Sequence, residues 1–166
     1  FRLAKLDPNG DSTTGITRTD TSIYPHPEPT NSNFNNVKYV SHWPSHMYFN
    51  IWLTRHISGG ANGYAQYPGT AFTYGGPWET YGPTIRSYEW GTIGSSASDG
   101  RVATHEIGHC LGLYHTFLSF STGCGAECDT TGDEVCDTPP TTPTYNCDTS
   151  NLCTNDLLGP SAFTMD

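Results

Sequence analysis

The pattern of apolar and polar positions is most telling over residues 47–54, whose alternation and content of aromatic and β-branched side chains (Tyr48, Phe49, Ile51, Trp52, Thr54) predict a strand in the middle of a sheet. Residues 1–5 read as a strand closed by the turn Asp7-Pro8-Asn9-Gly10, and residues 64–67 as a short strand closed by Pro68-Gly69. Residues 84–88 predict a further strand. Gly59-Gly60 and Gly75-Gly76-Pro77 break the pattern between these elements, and residues 19–37, rich in Pro, Asn, Ser and Thr, predict a loop. The period changes after Gly100. Residues 101–113 carry helical spacing and end at Gly112, a residue that can take positive φ and turn the chain out of a helix.

Composition adds that much of the chain is irregular. Hydrophobic residues make up 34% of 166 residues, with 18 Gly and 12 Pro, so loops overlie a modest sheet and a few helices in one domain. Aromatic residues at 13% supply the large apolar area that a disordered chain lacks. A net charge of −9 with seven Lys and Arg provides no cationic cluster, which excludes nucleic acid and anionic membrane surfaces as partners. No apolar run is long enough to insert in a membrane.

The six cysteines stand at Cys110, Cys124, Cys128, Cys136, Cys147 and Cys153. Five of them crowd into a Thr-, Asp-, Gly- and Pro-rich stretch without a Cys-x-x-Cys pair, which favours disulfides over a structural zinc site and places the protein in an oxidising, extracellular compartment. Cys110 has apolar helical neighbours and reads as a buried thiol or a disulfide partner, not a nucleophile.

The chemistry is concentrated in His105-Glu106-Ile107-Gly108-His109-Cys110-Leu111-Gly112-Leu113-Tyr114-His115. On a helix His105 and His109 lie one turn apart on one face, so both rings can reach one ion, and Glu106 projects beside them. Gly112 ends the helix and brings His115 round as a third nitrogen ligand. Three protein ligands leave a fourth zinc position for water, the mark of a catalytic site rather than a closed structural one. From this composition the five fixed positions would arise by chance with a probability on the order of 5 in 100,000, so a fortuitous set of buried polar residues does not account for them. His26, His42, His46 and His56 lack metal-ligand spacing and read as surface or hydrogen-bonding residues.

With its third His, this motif resembles that of the metzincin clan, and the flanking segments resemble the pappalysin-like metallopeptidases of cytophagalysin and ulilysin type. The matching segments begin with Phe1-Arg2-Leu3-Ala4, Asp7-Pro8-Asn9-Gly10, Gly15-Ile16-Thr17-Arg18, Trp43-Pro44-Ser45 and Phe49-Asn50-Ile51-Trp52. They continue with Gly63-Tyr64-Ala65-Gln66-Tyr67-Pro68, Gly100-Arg101, His115-Thr116-Phe117, Gly132-Asp133, Asp137-Thr138-Pro139 and Met165-Asp166. The resemblance implies an α+β, zincin-like catalytic domain over residues 1–166. A twisted mixed sheet and active-site helix would occupy residues 1–113, and a disulfide-rich irregular part residues 114–166, up to the Met-turn.

The same resemblance implies further roles. Gly63, Tyr64, Ala65 and Gln66 would form the sheet edge that binds extended substrate through main-chain groups. Met165 would be the Met-turn residue beneath the metal. Asp133 and Thr138 would be ligands in a structural calcium loop, a setting for which oxygen-rich side chains are suited. Cys124 would pair with Cys147, while the family partner of Cys153 would lie beyond Asp166; the family does not place Cys128 and Cys136, for which a small local loop between them is the simplest arrangement. The resemblance also implies that a strand and helix would precede Phe1, and that a helix with a Tyr near the metal would follow Asp166.

These features together predict a secreted zinc-dependent endopeptidase acting on protein or peptide substrates, in which Glu106 is general base and acid toward a zinc-activated water. The alternative is a non-catalytic extracellular module that keeps zinc and a peptide groove. Glu106 discriminates, because a binding module does not require a proton shuttle.

Overall fold

Local hydrogen bonding, more than hydrophobic alternation, decides where strands form in this chain. The computed structural model describes residues 1–20, 36–68, 78–91, 100–117, 129–137, 139, 141–142, 151 and 153–154. The chain divides into two units, Phe1–Cys110 and Leu111–Asp166.

In the first unit the described elements are helix α1 (Asn36–Val40), strand β1 (Trp52–Thr54), strand β2 (Gly63–Tyr64), strand β3 (Thr84–Arg86) and helix α2 (Arg101–Cys110). Single 3₁₀ turns occupy Ser58–Gly60, Trp78–Thr80 and Ser87–Glu89. The strands form one mixed sheet in the order β1-β3-β2. β1 runs parallel to β3, pairing Trp52 with Thr84, whereas β2 runs antiparallel to β3, pairing Tyr64 with Thr84. β3 is therefore central, and its Thr84 and Ile85 are fully buried. Trp52, Ile57, Tyr64, Ile85 and Val37 form the apolar core around it, and α2 packs on β2 and β3.

Several predicted strands are shorter than their patterns. Residues 1–5 form no strand: Phe1 is 89% exposed, and the segment makes a single antiparallel bridge, Leu6 to Ser12. The Asp7 side chain holds the turn between them, accepting from the Asn9 and Asp11 amides at 2.9 Å each. Of residues 47–54 only Trp52–Thr54 is strand. Pro44 accepts the Met47 and Tyr48 amides in a turn, and the Asn50 side chain satisfies both Trp43 main-chain groups, so these residues have local partners in place of a ladder. The loop predicted over residues 19–37 gives way to α1 at Asn36, and the part over 21–35 lies outside the described residues. Strand β3 stops at Arg86, where a 3₁₀ turn begins.

One approach between β1 and β3 sets their spacing. Gly82 has φ +130°, and a Cβ there would stand 2.0 Å from the Asn50 carbonyl oxygen, so no other residue fits without moving the backbone. The adjacent Pro83 carbonyl accepts the Trp52 amide at 3.0 Å and starts the parallel ladder.

Among the described residues of the second unit, Phe117 and Thr141 form a parallel bridge and are both buried. The Asn151 side chain accepts from the Cys153 amide at 2.8 Å. Cys136 and Cys153 are each disulfide-bonded. Cys124 and Cys147 lie outside the described residues.

Candidate active site

Helix α2 begins after Gly100, whose φ of +79° turns the chain into it and whose carbonyl accepts both the Thr104 amide and the Thr104 hydroxyl. Helical spacing then places His105 and His109 one turn apart, with their Nε2 atoms 2.8 Å from each other and their rings edge-to-face at 84°. The helix ends at Cys110 and not at residue 113, and Gly112 adopts φ +94°, the left-handed conformation its position requires. His105, His109 and His115 each offer one nitrogen, and the three nitrogens lie within 4.8 Å of one another.

A tetrahedral ion with nitrogen ligands at about 2.0–2.1 Å holds those nitrogens about 3.3 Å apart, and the 2.8 Å between the His105 and His109 nitrogens is close to that separation. Three imidazoles are also the donor set that borderline-soft zinc accepts. The residues fit the ion.

Two aromatic rings hold ligand rings in place. Tyr67 packs edge-on against His109 with centroids 5.0 Å apart, and within the second unit His115 stacks on the buried Phe117 at 4.6 Å and 16°. Neither contact is visible in sequence, although Tyr67 and Phe117 both lie in segments that carry the family resemblance.

Glu106 is 7% exposed. Burial pushes its carboxyl up to about 8, and the Lys38 ammonium acts in the opposite direction. Lys38 is the functional-region residue that sequence reasoning missed, since nothing in a short amphipathic segment marks a lysine for complete burial. Its Nζ donates to the carbonyls of Gly82 at 2.6 Å and Thr80 at 2.9 Å, and lies 4.8 and 5.2 Å from the Trp52 and Tyr64 ring centroids. Two carbonyls and two π-faces replace part of the lost hydration. They do not replace all of it, and desolvation lowers the Lys38 pKa from 10.5 to about 7 against the attraction of Cys110 and Glu106.

This burial has a measurable signature. Below about pH 7 Lys38 is charged in both folded and unfolded chains, and its burial cost is present in full. From there to its unfolded value of 10.5 the unfolded chain binds more protons, so stability rises with pH. Relative to Lys38→Met, the wild-type protein is expected to gain on the order of 3 kcal/mol between about pH 6.5 and pH 9.5. Denaturant titrations of both proteins at pH 6.5, 8 and 9.5 would measure the gain, and a constant difference would refute it.

Of the two readings its apolar neighbours left open, Cys110 takes the first, a buried free thiol, and burial pushes it up to about 11. The Tyr81 hydroxyl donates to its carbonyl oxygen, and the Gln66 main-chain N–H donates to the thiol. Gln66 is thus turned towards α2, and the Thr80 hydroxyl donates to its side-chain oxygen at 3.2 Å.

The segment that the resemblance assigns to substrate begins with β2, Gly63–Tyr64, which occupies an edge of the described sheet; Ala65 and Gln66 follow it. The Asp133 carboxylate accepts from the Val135 amide at 3.2 Å within its own loop. Thr138 and Met165 lie outside the described residues. Among the described residues the three histidines are the group of His, Cys, Asp and Glu side chains placed to hold a metal ion.

Comparison with known proteins agrees with this geometry. Residues 30–164 match the family model Peptidase_M43, described as pregnancy-associated plasma protein-A. An extracellular metalloprotease of Colletotrichum graminicola is 39% identical over 103 residues, covering 59% of this chain and 33% of the relative. One of Coccidioides posadasii is 36% identical over 92 residues, covering 55% and 30%. The chain thus spans about a third of the length of these relatives. Mature mirolysin of Tannerella forsythia, solved in complex with a cleaved peptide, superposes with a TM-score of 0.72 at 32% identity, covering 94% of this chain and 57% of mirolysin. The mixed sheet, the active-site helix and the histidine group have the α+β zincin-like architecture of that structure, and the chain belongs to the M43, or pappalysin, family of metalloproteases.

Proposed function

We propose that this chain carries the catalytic machinery of a secreted zinc-dependent endopeptidase. The observation that carries the reading is the gathering of the His105, His109 and His115 nitrogens within 4.8 Å, with Glu106 on the same helix as two of them. In this reading those three histidines hold the metal. When bound, zinc supplies a Lewis acid that polarises the scissile carbonyl and makes water more acidic.

Glu106 moves the proton: it accepts one from the attacking water and delivers it to the departing amine, so hydrolysis needs no covalent intermediate. Its burial reduces competing hydration of the carboxylate, and its adjacency to His105 keeps it beside the reacting carbonyl. Tyr67 and Phe117 restrain the rings of His109 and His115. The substrate is an extended peptide laid along Gly63, Tyr64 and Ala65, since an edge strand offers main-chain donors and acceptors for strand addition.

Secretion is supported by the disulfides at Cys136 and Cys153 and by relatives named extracellular metalloproteases. No helix of the described residues is long and apolar enough to cross a membrane.

The test uses full-length protein and an unfolded protein substrate. Cleavage is expected to stop on zinc chelation and return when zinc is restored. Ala65→Pro removes an edge N–H without touching a ligand, and is expected to lower kcat/KM about tenfold with zinc content unchanged, the effect of losing a hydrogen bond worth about 1.4 kcal/mol. Absence of cleavage by zinc-loaded protein would leave the peptide-binding module as the correct reading.

A further inference from the structure

The main chain of β2 lies directly against the side chain of Glu106. A Cβ built on Gly63 would stand 2.8 Å from Glu106 Cγ, 2.9 Å from Glu106 Oε1 and 3.0 Å from Val102 Cγ1. Carbon atoms pack best at about 3.5–4.0 Å, so the first of these contacts is roughly 1 Å too short for any side chain. Glu106 Cγ is close to the helix backbone and cannot swing away as a side-chain tip does. Adding one methyl group would rotate or push the carboxylate as a whole.

The glycine is not explained by backbone conformation. Gly63 is absent from the residues with positive φ, and it lies in a strand, where glycine weakens the element without supplying a turn. What its missing side chain provides is room. Two surfaces are brought together there: β2, the edge on which an extended peptide would lie, and Glu106, which would exchange protons at the bond to be cut.

We propose that Gly63 is a positioning residue whose bare Cα sets the location of the Glu106 carboxylate relative to the edge strand. The inference rests on the reading of Glu106 as the proton shuttle, but its geometric content is independent of that reading. Misplacing a reacting group by 1 Å costs about 10²-fold in rate. Gly63→Ala is therefore expected to retain zinc, to lower kcat by about 10²-fold and to leave KM within about twofold. A loss of edge-strand pairing alone would instead appear in KM.

Two double-mutant cycles decide the matter. In the activity cycle, Glu106→Gln is expected to cost far less in the Gly63→Ala background than in wild type, because the carboxylate is already displaced. In the stability cycle, Gly63→Ala is expected to lower Tm beside Glu106 but to leave it nearly unchanged beside Glu106→Ala, where the space has been vacated. If Gly63→Ala alone fails to fold, recovery of the folded state in the double variant supports the proposal, and failure to recover overturns it. Equal Tm losses in both backgrounds, or an unchanged kcat for Gly63→Ala, also overturn it. Should the wild-type protein show no peptidase activity, the functional reading fails while the Tm cycle still tests the contact.

Discussion

Glu106→Gln is expected to keep one zinc per chain and to lose about 10²–10⁴-fold in kcat, the range for removal of a general acid and base. The amide has nearly the shape of the carboxylate, so the close packing against Gly63 is preserved and the fold is not disturbed. What is lost is the ability to accept a proton from water. KM should change little, because Glu106 is not placed to bind substrate in the ground state. The change keeps the shape of a side chain that burial already pushes towards its neutral form, so Tm should stay nearly level. Steady-state kinetics, elemental analysis and a thermal scan on the same preparation check all four statements. Wild-type turnover by this variant would exclude Glu106 as the shuttle.

His109→Ala should act in the opposite way, removing the metal itself. His109 is buried, its Nε2 faces that of His105 at 2.8 Å, and Tyr67 packs on its ring. Two remaining imidazoles cannot close a three-ligand zinc site, so extensive dialysis should leave the variant without stoichiometric zinc and without activity. Stability follows by linkage. With free zinc about 1,000-fold above its dissociation constant, wild type gains about 4 kcal/mol, or about 10 °C in Tm for a chain of this size. Chelation should therefore lower the wild-type Tm by that amount and leave the His109→Ala Tm unchanged. Full zinc retention by His109→Ala would place the ion elsewhere.

The amino-acid sequence by itself determined the parts of this protein that depend on short-range geometry. A helix repeats every 3.6 residues wherever it sits, so the spacing of His105, Glu106 and His109 puts them on or beside one face whatever the rest of the chain does. Gly112 could likewise be read as the helix terminator, because positive φ is a property of the residue, and it is observed at +94°. The family resemblance had the same basis, being spread over many short segments, and the comparisons bear out both the family and the α+β class.

Tertiary structure alone decided which of those local elements meet. The strand read over residues 1–5 rests on local signals that name no pairing partner, and without a ladder to join, Phe1 stays exposed. Residues 47–54 shrank to Trp52–Thr54 because Pro44 and the Asn50 side chain satisfied the preceding main chain locally. The burial of Lys38 requires two carbonyls that lie 42 and 44 residues away and two rings from separate strands. Gly63 reads as an ordinary strand-breaking glycine until Glu106, 43 positions later, is found packed on its Cα. Local periodicity is encoded by neighbours in sequence and can be read there; the contacts that position this carboxylate join segments far apart in the chain, and they come into being only when the sheet and the helix pack.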